Sequence, residues 1–171
     1  GNVDYTLDAN HVVDHLSKAF CGEGQHLYVP AVVSHVQTKR TLMKEDSIRQ
    51  IMNAYDHLDV ALVGIGTADN TSSAFRSGYY SDEMKQQAIK DQVCGDICMH
   101  LFDKEGRTDR FPYNKQIVGV NLNKLKKVPY AIGIANGVRK AEAIRGAIKG
   151  GYINVLVTDA QCGEALTRLN D

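Results

Sequence analysis

Residues 59–65, DVALVGI, form a short apolar and largely β-branched run that stops at Gly66. Such a run reads as a buried strand ending in a loop that only small residues line. A polar segment with Thr67, Ser72 and Ser73 follows it. Strand, glycine loop and helix in that order open a ligand crevice at the carboxyl ends of the strands of an α/β sheet. Glycine lets backbone N–H groups approach an anion, and the three hydroxyls are further donors. Gly64 and Gly66 make a G-x-G-T pattern that lacks both the third glycine of a dinucleotide turn and the G-K-[ST] of a P-loop. Taken alone, the glycine pair reads as a tight turn.

The second half of the chain carries the same alternation. Residues 127–135, KVPYAIGIA, read as a strand ending at Asn136-Gly137, and residues 138–149 as a helix with Ala141, Ile144, Ala147 and Ile148 inward. Residues 152–157 are the last strand, and Thr158 to Gln161 have a capping-box spacing that opens a helix ending near Leu169. Strands and helices in that order imply right-handed βαβ units and a parallel sheet.

Upstream, Asp8 caps a helix running to about Phe20, with Val12, Val13, Leu16, Ala19 and Phe20 as an apolar stripe. His11, Asp14 and His15 on that helix approximate an H-x-x-E-H zinc spacing, but the acid is one methylene short and no third ligand is identifiable; a solvated face is the plainer reading. Residues 26–33, HLYVPAVV, are a strand-like run broken by Pro30, and residues 44–55 a helix with Ile48, Ile51, Met52 and Tyr55 on one face. Ser81 or Asp82 begins a short helix to about Lys90.

Residues 93–102, VCGDICMHLF, read as one apolar strand with a carboxylate inside it. An unpartnered Asp96 in such a run is costly to bury, so it lies either at an exposed strand end or against a ligand or cation. Lys140 falls in the first turn of a helix, where the macrodipole disfavours a cation. It is either an outward surface lysine or one that faces an anion together with the free N–H groups.

With 171 residues, 43% hydrophobic and 23% charged, the composition fits one domain with its own core. Twenty basic against 20 acidic side chains leave no basic footprint for holding nucleic acid. Apolar runs are strand-length and the start has no signal-peptide pattern, so a soluble cytoplasmic protein with no membrane partner is expected. Cys21, Cys94, Cys98 and Cys162 show no C-x-x-C spacing, and reduced, mostly buried thiols are the default. The chain reaches its first helix signal at Asp8 with no opening strand, which suggests upstream residues.

Several segments in order resemble the sugar-binding effector domain of SorC/DeoR-type bacterial transcriptional regulators. They are D-A-N at Asp8–Asn10, Y-V-P-A at Tyr28–Ala31, A-L-V-G-I-G-T at Ala61–Thr67, V-C-G-D-I at Val93–Ile97 and F-D-K-E-G at Phe102–Gly106. A-N-G-V-R-K-A-E-A-I at Ala135–Ile144 and G-G-Y-I-N-V-L-V-T-D at Gly150–Asp159 are the most specific, and together the segments cover nearly the whole chain. The resemblance implies a three-layer, Rossmann-like parallel sheet with helices on both faces, of the NagB/RpiA/CoA-transferase-like class. It implies that residues 1–171 are a partial effector domain, lacking the opening strand and helix and a helix-turn-helix DNA-binding domain. Its partners would be a sugar or sugar phosphate in the crevice, operator DNA through the missing domain, and further copies in a dimer or tetramer.

Carried over by position, the resemblance makes Asp96 an acceptor for sugar hydroxyls and Lys140 a lysine that reaches the effector. Asp8 and Asn10 stand at the pocket edge, and Pro30, Gly66, Thr67 and Asn136 line the crevice. Asn136 replaces the more usual glycine and Asp8 the more usual amide, which bears on the identity of the sugar. No catalytic residue, metal or cofactor is implied. The competing expectation is a sugar-phosphate isomerase or deaminase on the same fold. The related deaminases carry an acid-glycine-histidine sequence after the glycine, where this chain has Ala68-Asp69-Asn70-Thr71, so only Asp69 and Asp96 are candidates for acid/base work.

Overall fold

The computed structural model describes residues 9–70, 72–76 and 78–169. The elements run α1 (Ala9–Ala19), α2 (Val36–Leu42), α3 (Asp46–Ala54), β1 (Val60–Gly64), β2 (Gly66–Thr67), α4 (Ser73–Arg76) and α5 (Asp82–Lys90). There follow β3 (Gly95–Ile97), β4 (His100–Phe102), α6 (Leu122–Leu125), β5 (Tyr130–Ile134), α7 (Ala141–Lys149), β6 (Val155–Val157) and α8 (Ala160–Arg168). Short 3₁₀ turns occupy Tyr55–His57, Pro112–Gln116 and Val138–Lys140.

Strands β1, β5 and β6 form the expected parallel sheet in the order β1-β5-β6, with Val60 opposite Tyr130 and Ile132 opposite Val155. Alternation along β1 and β5 puts Ala61, Val63 and Ala131 on a buried face. Against it pack Ala141, Ile144 and Ala147 of α7 and Cys162 of α8, in one core with Ile153 and Tyr152. Burial of each large apolar side chain there contributes about 1.5–3 kcal/mol. Ile148, expected inward, is instead exposed. The last helix is capped one residue later than the sequence spacing suggests: Asp159 accepts from the amides of Cys162 and Gly137, which ties the start of α8 to the loop after β5.

The opposite face of the sheet carries Val60, Leu62, Tyr130, Ile134 and Val157, all exposed. Parallel sheets are ordinarily covered on both faces, and among the described residues this apolar face is left open. No described helix of this chain has its side chains buried there. The stripe on α1 is likewise open, with Phe20 79% exposed and Val12 and Leu16 also exposed.

A second sheet, in the order β2-β3-β4 and antiparallel, lies beyond α7. It corrects two readings. Gly66 does not begin a loop but pairs with Asp96 as a strand residue, and the run 93–102 is a hairpin rather than one strand. The turn is Cys98-Met99, with φ of 48° and 66°. Both central residues are left-handed, as a type I′ turn requires, but neither is the glycine or asparagine that normally announces one. The strand expected over 26–33 is also absent: only Val32 pairs, in a single bridge to Ile117. Pro30 cannot donate to a ladder, and the segment pairs only beyond it, where the Val33 amide donates to the Gln116 carbonyl and the Val118 amide to the Ala31 carbonyl.

The described helices include none long and apolar enough to cross a membrane. The cysteines are free thiols, Cys162 buried but Cys21 and Cys98 exposed, which departs from the expectation of mostly buried ones.

Candidate functional site

The transition from β1 to β2 makes the floor of a crevice. At Ile65 the chain leaves the parallel sheet and at Gly66 it enters the antiparallel one, so the carboxyl end of β1 faces both the hairpin and the turn before α7. The resulting cavity, about 250 Å3, is lined by Gly66, Thr67, Ser72, Asp96, Arg139 and Lys140, with Gly64, Ile65 and Ala74. Four of the residues expected at a ligand site, Gly66, Thr67, Asp96 and Lys140, therefore meet at one place.

Gly66 is required there by approach rather than by conformation. A Cβ at this position would overlap Oδ1 of Asp96. Asp96 itself is 6% exposed. The Met99 amide of the I′ turn donates to its carboxylate, and Oδ1 is left buried with no hydrogen-bond partner. Burial raises its pKa, and the Met99 amide and the Lys140 charge offset this only in part, leaving it at about 6.

Asp103 supplies the contrast. It is as buried as Asp96, but it accepts from the Glu105 and Arg107 amides and from the Arg107 side chain, and it lies within ion-pair distance of Arg110. Burial alone would raise its pKa; those hydrogen bonds outweigh it and hold the carboxyl below its ordinary range. The fold thus satisfies one buried carboxylate in full and leaves the other, on a residue that lines a cavity, with one oxygen unpartnered. A buried charged group left unsatisfied costs more than the ~1–3 kcal/mol of a neutral one, and such groups concentrate at functional sites.

Lys140 ends the 3₁₀ turn Val138–Lys140 and donates to the Ile65 carbonyl at 2.7 Å. That bond anchors a cation beside the first turn of α7, where the helix dipole opposes it. Ser72 adds a second orphan, a buried hydroxyl with no partner. Arg139 was not anticipated as a lining residue; its one signal in the sequence is its place beside Lys140 at a helix start.

The other expected positions lie elsewhere. Asn136 is exposed in a neighbouring depression with Gly137, Asp159, Ala160 and Gln161, at the carboxyl ends of β5 and β6. Asn10 lies 3.1 Å from the His26 ring, and Pro30 is exposed. Neither lines the 250 Å3 cavity. Asp8 lies outside the described residues. Asp14 pairs with His26 at 3.1 Å, and no cluster of three or more potential metal ligands occurs among the described residues.

Comparison with known proteins identifies the family and the fold. A family model describing a sugar-binding domain, Sugar-bind, matches residues 1–168. The chain is 33% identical over 150 residues to the deoxyribonucleoside regulator of Bacillus subtilis, covering 88% of this chain and 48% of that protein. It is 37% identical over 142 residues to the transcriptional regulator LsrR of Escherichia coli K12, covering 81% and 45%. Among solved structures, the full-length sorbitol operon regulator SorC of Klebsiella pneumoniae superposes with a TM-score of 0.89 at 29% identity, over 97% of this chain and 54% of that one. The chain spans about half the length of the curated relatives it matches.

Proposed function

The chain belongs to the sugar-binding domain family of SorC/DeoR-type bacterial transcriptional regulators, and from that premise we propose that its crevice senses the effector of a carbohydrate-responsive regulator. The observation that carries this reading is the buried, part-satisfied carboxylate of Asp96 facing a cavity that also holds a lysine. A carboxylate accepts only, so Asp96 selects hydroxyl donors. Lys140 and Arg139 favour an anionic group such as a phosphate ester. Gly66, Thr67 and Ser72 complete the wall, and Asn10, Pro30 and Asn136 belong to the rim of a larger pocket.

The same reading makes this a binding module and not an enzyme. Of the two candidate acid/base groups, Asp69 is exposed and only Asp96 lines the cavity, and no histidine is among the lining residues described. The bare apolar face of the parallel sheet supports an upstream strand and helix that cover it, and a helix-turn-helix unit beyond them that meets operator DNA. A cytoplasmic homo-oligomer, dimer or tetramer, is the form in which the effector would alter operator affinity.

The test is a thermal-shift titration of the full-length protein against sugars and sugar phosphates, with Asp96→Ala and Lys140→Ala in parallel. A ligand at about a hundred times its Kd adds about 2.7 kcal/mol, or roughly 5–10 °C for a domain of this size. The expected result is a shift with one compound that both substitutions abolish, with no turnover of that compound. A shift indifferent to both residues, or turnover, would overturn the reading.

A further inference from the structure

A cavity of about 840 Å3, separate from the effector crevice, lies between α2, the hairpin and the segment before α6. Register puts it on the other side of the small sheet. Asp96 pairs with Leu101 and Ile97 with His100, and neighbouring strand residues point to opposite faces, so His100 lines this cavity while Asp96 lines the other.

Four cations converge on it. Lys39 and Arg40 come from the last turn of α2, Lys44 from just beyond it, and Lys115 from the 3₁₀ turn Pro112–Gln116. Asp109 is the one carboxylate on the lining. None of the four cations is in an ion pair with a described residue, whereas Lys85, Lys124 and Lys149 each pair with a nearby acid. The chain has as many acids as bases, so this concentration of unpaired positive charge is local. The dipole of α2 accounts for a cation at its carboxyl end, but not for Lys115 arriving from a different segment to face it. Lys39 is partly buried, and burial lowers its pKa.

Beneath the charges the lining is apolar: Met43, Phe111 and Leu122, the last two buried. Charges at one rim over an apolar floor suit a compact organic body carrying more than one anionic group. We propose that this cavity is a second ligand site, for a small organic polyanion bearing phosphate or carboxylate groups, independent of the sugar crevice. Arg40 supplies the fork that fits either group bidentately, and the lysines supply point charges around it.

Calorimetric titration of the full chain with inorganic pyrophosphate and with citrate tests this. Lys115→Gln alone and Lys39→Gln/Lys115→Gln together are compared with Lys90→Gln, an exposed lysine away from the cavity. The expected result is saturable binding of at least one probe, weakened about tenfold or more by the double substitution and unchanged by Lys90→Gln. Tighter binding of pyrophosphate would assign phosphate groups, and of citrate carboxylates. Absence of binding of both probes at about 10 mM, equal affinity in the double variant, or an equal loss in Lys90→Gln would overturn the proposal. Retention of the wild-type melting temperature by Lys115→Gln separates lost affinity from lost fold.

Discussion

Asp96→Asn is expected to raise stability by about 1–3 kcal/mol near pH 7.5, and to weaken sugar binding by about tenfold or more. The carboxyl is raised from its ordinary value to about 6 because burial disfavours its charged form. An acid whose folded-state pKa lies above its unfolded value binds its proton more readily in the fold. Its favourable contribution is complete below about pH 4 and is lost as pH rises through about 6. A shift of about two units, net of the attraction of Lys140, corresponds to about 3 kcal/mol, the upper bound on what an uncharged isostere recovers. The gain should therefore shrink towards zero at about pH 4. Denaturant melts at the two pH values check this; destabilisation at the higher pH, or an equal effect at both, would contradict it. More stability with less binding is the trade expected where a site holds a group the fold itself disfavours.

Gly106→Ala should be among the most damaging single substitutions, costing about 3–5 kcal/mol. Gly106 has φ of 74°, the left-handed region, and closes the turn after β4. A Cβ there would lie against the Gly150 backbone and 2.7 Å from the Gly146 carbonyl oxygen. Each obstacle is main chain of α7 or its carboxyl end, so no side chain can swing aside. The Gly106 carbonyl also accepts from the buried Tyr152 hydroxyl, which joins this turn to the core. Because α7 lies between the two sheets, displacing it would separate Lys140 from Ile65 as well. A denaturant midpoint lowered in proportion is the expected readout; a loss under about 1 kcal/mol would mean that the turn moves freely relative to α7.

What was legible in the sequence is what local pattern controls. The strand before Gly66, most of the helix read over 138–149 and the cap at Ser81 follow from periodicity and from side chains that satisfy free amides, whereas the last helix is capped at Asp159 and not at Thr158. Asp96 and Lys140 stood out because each sits where elementary energetics disfavours it, a carboxylate in an apolar run and a cation at a helix start. What escaped was set by tertiary contact. The I′ turn at Cys98-Met99 is imposed by strand pairing and by the Met99 amide meeting Asp96, with no glycine to signal it. Gly66 reads in the sequence as the glycine of a tight turn into a loop, whereas it is small so that Asp96 can lie against it. The run 26–33 had a strand's composition but no partner strand. The convergence of Lys39, Arg40, Lys44 and Lys115 has no sequence signature, because 71 positions separate Lys44 from Lys115.

The division of labour in the crevice, hydroxyls to Asp96 and anionic group to Lys140, is tested most directly by one comparison. The affinity of the stabilising sugar phosphate and of its dephosphorylated sugar should be measured by calorimetry on wild type, Asp96→Asn and Lys140→Gln. Wild type should prefer the ester; Lys140→Gln should lose that preference yet still take the sugar, and Asp96→Asn should lose both. An undiminished preference in Lys140→Gln, or full sugar binding in Asp96→Asn, would contradict the account.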